Sequence, residues 1–562
     1  MNHIQNAMRE AEKIILSAYE KACEKGELPK DEIRQPVIEI PKDLSHGDYA
    51  SSFAMQNTKI LGKAPKVIAE AIKNNACLEG TCFDSMTVLG PGFINFKLAD
   101  KWFSDVLLNI AEEGDDYGKL KCEKPQKIMV EFVSANPTGP MHMGNARGGV
   151  LGDSLANVLK MAGNDVTKEF YVNDAGNQIE KFACSIDARY MQLIKGEENY
   201  PFPEDGYHGD DIRVIAKELY DRDGEIYLDM SEEERHKAYI KYGLKKNIAK
   251  MQADLERYRI KYDVWFFESE LHNSGYVKET VDLLTEKGYT YEADGALWLK
   301  STAFGCEKDD VLMRGNGFYT YFAADIAYHR NKFEKIGFDK VINIWGADHH
   351  GHVARLKAAL DALGLDGTNR LEIVLMQLVR LMRDGEVVRM SKRTGKAISL
   401  SDLLDEVPCD AARYFFNSRA ADTHLEFDLG LAVREDSENP VYYCQYAHAR
   451  ICSILANIER DGVTVNKTPD LSLLSSKEER DLIREVAKMP EEIRVAAANR
   501  DPSVLNRYAV SVASAFHKFY GVSRIKDAEP DIRDARVFLI KCTADVIRNT
   551  LAGFGVTAPT QM

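Results

Sequence analysis

The chain has 562 residues, 45% of them hydrophobic, ten cysteines and a formal net charge of −15. These values fit a globular protein of roughly two to four domains with reduced thiols. No run approaches the ~18 apolar residues of a membrane span, and the start MNHIQNAMREAEK lacks a secretory pattern, so a cytoplasmic protein without membrane association is expected. No CxxC pair completes a zinc motif, so no metal site is expected, and the net acidity argues only weakly against an RNA partner, because phosphates respond to local patches.

Residues 1–115 read as a small α/β domain. Ile4, Met8, Ala11, Ile15, Ala18 and Ala22 form one helical stripe ending at Gly26; a strand is expected at 37–41, a helix at 67–72 and a strand at 92–98. The acidic, Gly-punctuated stretch 112–118 reads as a linker. Ile128, Met129, Val130, Phe132 and Val133 then predict a buried strand, which the turn Asn136-Pro137-Thr138-Gly139-Pro140 ends. From Asn145 the stripe Val150, Leu151, Leu155, Val158 and Leu159 predicts a helix running to Gly163. His142, Gly144 and Asn145 thus stand at a helix N-terminus, where free N–H groups and the helix dipole favour an anion such as a triphosphate. Gly144 would let the backbone pass close under a flat base. Taken alone, H-x-G-N reads equally well as a core histidine beside an ordinary βα turn.

A second strand is expected at 166–172, then an insertion at about 186–310 with a strongly charged helix at 231–259. A strand at 341–345, the turn Gly346-Ala347-Asp348, a helix and a strand at 373–381 complete a doubly wound, Rossmann-like α/β domain over 120–439. Beyond it, 440–562 read as an all-α bundle. There Asp501 caps a helix that begins at Pro502, and Leu505, Tyr508, Ala509, Val512, Phe516, Phe519 and Tyr520 read as core rather than as an RNA-stacking face.

The basic stretch Arg389-Met390-Ser391-Lys392-Arg393 would by itself read as a solvated loop. Together with His142-Met143-Gly144-Asn145 it resembles the KMSKS and HIGH signature pair of class I aminoacyl-tRNA synthetases, with Asn for the last histidine and Arg for the first lysine. SANPTGPMHMGNARGGVLGD, FYVNDAGNQ, TYFAADIAYH, WGADHHGHV, DAARYFF and NPVYYCQYAHAR, in this order, are similar to the bacterial-type arginyl-tRNA synthetases across the whole chain. The resemblance implies an N-terminal domain that touches the outer corner of tRNA and an anticodon-binding bundle, entered through Asp410-Ala411-Ala412-Arg413, where Ala412 replaces the family's usual leucine.

It also implies ATP-dependent formation of arginyl adenylate, release of pyrophosphate, and transfer to tRNA(Arg) with release of AMP, activation requiring bound tRNA. Such chemistry rests on position and charge neutralisation. His142 and Asn145 are expected at the α-phosphate and leaving oxygen, Lys392 at the β- and γ-phosphates, and Gly144, Gly346, Asp348, Met390 and Ser391 as further ATP contacts. Asp348 reads as a ribose acceptor or as a helix cap. The cluster Asp348-His349-His350-Gly351-His352 makes a poor metal site, since adjacent histidines diverge. The resemblance puts Glu268, Tyr321 and Asp325 around the L-arginine guanidinium, which carboxylates at fixed angles match best, and Asn136 at the α-amino group. By spacing alone Asp325 reads as a helix-cap acid. Mg²⁺ should arrive with ATP, and a monomer is expected. A nucleotidyltransferase that does not act on tRNA and an inactive RNA-binding paralogue are the alternatives; the presence of both His142 and Lys392 counts against the second.

Overall fold

The structure is a computed structural model, and it describes residues 1–388 and 398–562. It opens on the helix His3–Glu24, which buries Ile4, Ala11, Ile15, Ala18 and Ala22 and leaves Met8 at the edge of the stripe. This face packs on the helix Pro65–Asn75 beside an antiparallel sheet of β1 (Ile38–Glu39), β2 (Tyr49–Ser51), β3 (Phe83–Leu89) and β4 (Phe93–Leu98), ordered β1-β2-β4-β3.

The stretch 112–118 is not a loose linker. The helix Asp100–Glu113 runs into it and Tyr117 is wholly buried, its hydroxyl donating to the Val486 carbonyl at 3.2 Å. Asn549 Nδ2 donates to the Gly114 carbonyl at 2.8 Å. Both partners belong to the C-terminal helices, so one aromatic and one amide fasten an acidic stretch that composition alone marks as solvated.

The middle of the chain is built on β5 (Lys127–Glu131), β6 (Asp165–Val172), β7 (Val264–Phe267), β11 (Lys340–Gly346) and β12 (Leu371–Met376), with β8 (Thr290–Ala293), β9 (Ala296–Leu299) and β10 (Asp310–Met313) forming a separate antiparallel sheet. The five strands are parallel and ordered β12-β11-β5-β6-β7, so the chain runs outward on one side of β5 and returns on the other. A crevice at the carboxyl ends of β5 and β11 follows from this reversal.

The range expected to be one insertion holds a strand of the central sheet: β7 pairs with β6 from Glu169↔Val264 to Val172↔Phe267. There are therefore two excursions. The first comprises the helices Asn177–Lys195, Asp210–Asp223 and Glu232–Arg257 with a core of their own; the second carries β8 to β10. The expected strand 373–381 is likewise two, because the chain turns between β12 and β13 (Val379–Arg383) and leaves Leu378 75% exposed. β13 lies between β14 (Glu386–Val387) and β15 (Leu425–Asp428) in a third sheet of this region.

From Pro440 the described chain is helical. Leu505, Tyr508, Ala509, Val512, Phe516 and Phe519 are all buried in the helix Ser503–Val522, and Tyr520 is partly buried beside them. That helix starts one residue later than expected, with Asp501 Oδ1 accepting from the Ser503 amide at 3.0 Å. Arg413, fully buried, ties the bundle to the middle of the chain: its guanidinium pairs with Asp153 and donates to the Tyr258 carbonyl at 2.9 Å and the Phe554 carbonyl at 3.0 Å.

Candidate active site

The helix Met143–Met161 begins where sequence places an anion site, and its first turn is closed by its own side chains. His142 Nδ1 accepts from the Gly144 amide at 3.0 Å, and Asn145 Oδ1 accepts from the His142 amide at 3.0 Å. This reciprocal capping box fixes two donor directions. Since Nδ1 accepts, the imidazole proton sits on Nε2; since Oδ1 accepts, the Asn145 amide group is what remains to donate. Burial holds the His142 pKa below its usual 6.5, which keeps this neutral tautomer. A Cβ on Gly144 would meet His142 Cε1 at 2.9 Å, so glycine is what lets the ring fold back over the turn.

These groups line a cleft of about 680 Å³ at the carboxyl ends of β5, β11 and β12, together with Val133, Gly346, Asp348 and His349. Asp348 is exposed at the end of β11 and does not cap the following helix, His350–Leu363, whose N-cap residue is His349. It thus stands as an unburied carboxylate in the cleft. Asn247, on the helix Glu232–Arg257, donates to the Pro137 carbonyl at 2.9 Å and steadies the turn before His142. Met390, Ser391 and Lys392 lie outside the described residues. On the far side of that stretch Ser399 pairs with His142, and the Leu400 amide donates to the Met141 carbonyl at 2.9 Å.

A second cavity, of about 440 Å³, is lined by Glu268, His272, Arg314, Tyr321 and Ala324 among others. Glu268 follows β7 directly, which puts it at the carboxyl edge of the sheet, 3% exposed. Its carboxylate lies 3.4 Å from His272 Nε2, and the Asn173 amide, oriented to donate, reaches it at 2.8 Å. Asp325, beside Ala324 on the helix Tyr321–Arg330, accepts from His352 Nε2 at 2.8 Å, and His352 Nδ1 accepts from Arg355 Nε at 2.7 Å. Asp325 is no helix cap; Thr320 has that role. Burial, then the charges of Glu268 and Asp325, push the Tyr171 phenol well up, so both carboxylates act on one aromatic ring. Tyr321 is 53% exposed at the rim. Asn136 is exposed, donates to Gln178 and lines neither cavity.

Sequence reasoning missed the support behind both cavities. Val133 and Ser134 have φ of 71° and 42°, a left-handed pair without glycine that costs about 1 to 3 kcal/mol per residue. Ser134 Oγ donates to Glu131 at 2.9 Å, and the fully buried Lys332 reaches Glu131 at 2.7 Å and Glu169 at 3.4 Å. Burial alone would raise the Glu131 pKa, but Lys332 overrides it and holds the carboxyl below its usual range. No sequence signal pairs residues 201 apart.

Family comparisons cover most of the chain. The arginyl tRNA synthetase N terminal domain matches residues 4–98, the catalytic domain of tRNA synthetases class I (R) matches 107–428, and the DALR anticodon binding domain matches 444–562. The arginine–tRNA ligases of Acetivibrio thermocellus and Caldanaerobacter subterraneus are 52% and 53% identical, each over 100% of both chains. A solved Campylobacter jejuni structure assigned to the arginyl-tRNA synthetases superposes with a TM-score of 0.76 at 35% identity, covering 83% of this chain and 100% of that one. A cleft with oriented donors at the switch point, a second cavity bearing the Glu268 carboxylate and relatives of half-identical sequence along the whole chain lead to one assignment: the chain belongs to the arginyl-tRNA synthetase family.

Proposed function

We propose that the chain attaches L-arginine to its cognate tRNA at the expense of ATP, through an arginyl adenylate, releasing pyrophosphate and AMP. The observation that carries this reading is the pairing of two cavities around one sheet edge: a cleft with oriented neutral donors, and a pocket lined by Glu268, with Asp325 next to its lining residue Ala324. The first suits a triphosphate, because His142 Nε2–H and the Asn145 amide can follow charge onto the α-phosphate and leaving oxygen as the arginine carboxylate attacks. The second suits a guanidinium, which needs fixed carboxylates in a partly desolvated place.

In this reading Gly144, Gly346 and Asp348 contact the nucleoside side of ATP, with Asp348 accepting from the ribose. Met390, Ser391 and Lys392 would complete the phosphate site, Lys392 meeting the charge that builds on the β- and γ-phosphates. Tyr321 closes the rim of the arginine pocket. Asn136 would have to turn from Gln178 to reach the α-amino group. Mg²⁺ arriving with ATP would neutralise part of the triphosphate charge. We further propose a cytoplasmic monomer; no helix among the described residues is long and apolar enough to cross a membrane.

ATP–pyrophosphate exchange measured across the amino acids, with and without tRNA, tests the reading. Exchange confined to arginine and dependent on tRNA is expected. Exchange with another amino acid would assign the pocket to a different substrate.

A further inference from the structure

Outside the active site, the first helical excursion gathers a set of side chains that catalysis does not use. Glu180 and Cys184 are four apart on the helix Asn177–Lys195 and so share a face. Across from them stands His236, four after Glu232 on the helix Glu232–Arg257. The two helices meet closely because Gly243, two turns beyond His236, lacks a Cβ that would lie 2.6 Å from the Phe182 ring. Asp187 and Arg235 add an ion pair at 3.1 Å between them.

One ligand atom from each of Glu180, Cys184 and His236 lies within 4.8 Å of the others, and no other such group of three gathers among the described residues. His236 is 6% exposed and its Nδ1 lies 2.7 Å from Glu180 Oε1, whereas Glu180 itself faces solvent. Cys184 is a half-buried free thiol. Glu232 Oε1 lies 4.0 Å from the opposite ring nitrogen, Nε2.

We infer that Glu180, Cys184 and His236 form a binding site for a divalent transition-metal ion of the zinc class, with His236 bound through Nδ1 and Glu232 steadying its Nε2–H. Ligand atoms around one zinc stand roughly 3 to 4 Å apart, so the set needs side-chain adjustment only. One thiolate, one imidazole and one carboxylate favour zinc over magnesium or calcium, which take oxygen donors. Three protein ligands leave a fourth position for water. Binding deprotonates Cys184, the proton leaving to buffer, and joins two helices of the excursion, one of which carries Asn247 to the turn before His142. The ion braces the fold and takes no part in the transfer chemistry.

The test uses the full-length chain, stripped with a chelator and titrated with Zn²⁺ against a chromophoric competitor. One equivalent with a Kd of about 1 μM or tighter is expected. Cys184→Ser and His236→Gln should each weaken it by more than about 100-fold, and Glu232→Gln by about 10- to 100-fold, the usual effect of losing a partner of a ligating histidine. Co²⁺ should give a thiolate charge-transfer band that Cys184→Ser abolishes, which decides the matter even if His236→Gln fails to fold. No uptake at roughly a hundredfold that concentration, or binding unaltered by Cys184→Ser, would overturn the site and leave a plain Glu180–His236 hydrogen bond.

Discussion

Asp325→Asn isolates charge from shape at the proposed arginine pocket. Oδ2 of Asp325 is already taken by His352 at 2.8 Å, which leaves Oδ1 to face a guanidinium. Asparagine keeps one acceptor oxygen and the side-chain size but removes the counter-charge. A hydrogen bond to a charged group contributes about 1.5 to 3 kcal/mol, so kcat/KM for arginine should fall by about 10- to 150-fold. The assay is tRNA-dependent ATP–pyrophosphate exchange, with citrulline, neutral and nearly isosteric, as the comparison. The parent should reject citrulline strongly, and the variant should narrow that gap. His352→Gln, which leaves the Asp325 charge in place, should narrow it far less. If Asp325→Asn lowers stability while the arginine-to-citrulline preference stays the same, Asp325 serves only to hold His352, and Glu268 becomes the charge-reading residue.

Lys392→Ala should lower the activation rate by about 10²- to 10³-fold with little change in KM for arginine, as for loss of one electrostatic stabiliser; a near-normal rate in exchange would remove this lysine from the mechanism. Arg413→Ala leaves Asp153 buried with Lys168 at 2.8 Å as its remaining cation, and should cost about 3 to 5 kcal/mol in urea unfolding; a loss under about 1 kcal/mol would mean that this joint does not hold the bundle. Burial, with the Lys332 charge, brings the His329 pKa from 6.5 down to about 4. The unfolded chain therefore takes up a proton that the folded chain refuses, and stability should fall by up to roughly 3 kcal/mol as pH drops from 6.5 to 4. His329→Asn should be less stable at neutral pH but show a shallower loss across that window; an unchanged slope would refute the assignment.

What could be read from sequence was local and periodic. The strand, turn and helix from Ile128 to Met161 carry both a β-branched run and a 3.6-residue stripe, and the structure forms them there as β5 and the helix Met143–Met161. β7 was hidden because four residues, Val264 to Phe267, follow a highly charged helix and have too little length to show a period. That omission also concealed why Glu268 sits at the sheet edge. Tyr117 shows the opposite error: a polar setting conceals one aromatic that a distant helix buries. The Glu131–Lys332–Glu169 group and the His352–Asp325 contact depend on chain reversals, so no spacing reveals them. The sequence named His142 and Asn145 as donors; only the capping geometry shows which of their atoms are left to donate.

The most direct test of the central claim is transfer of labelled arginine to tRNA(Arg) by the purified full-length chain. The account predicts ATP-dependent labelling of the tRNA with arginine alone. Absence of transfer by a folded chain, or labelling with another amino acid in place of arginine, would contradict it.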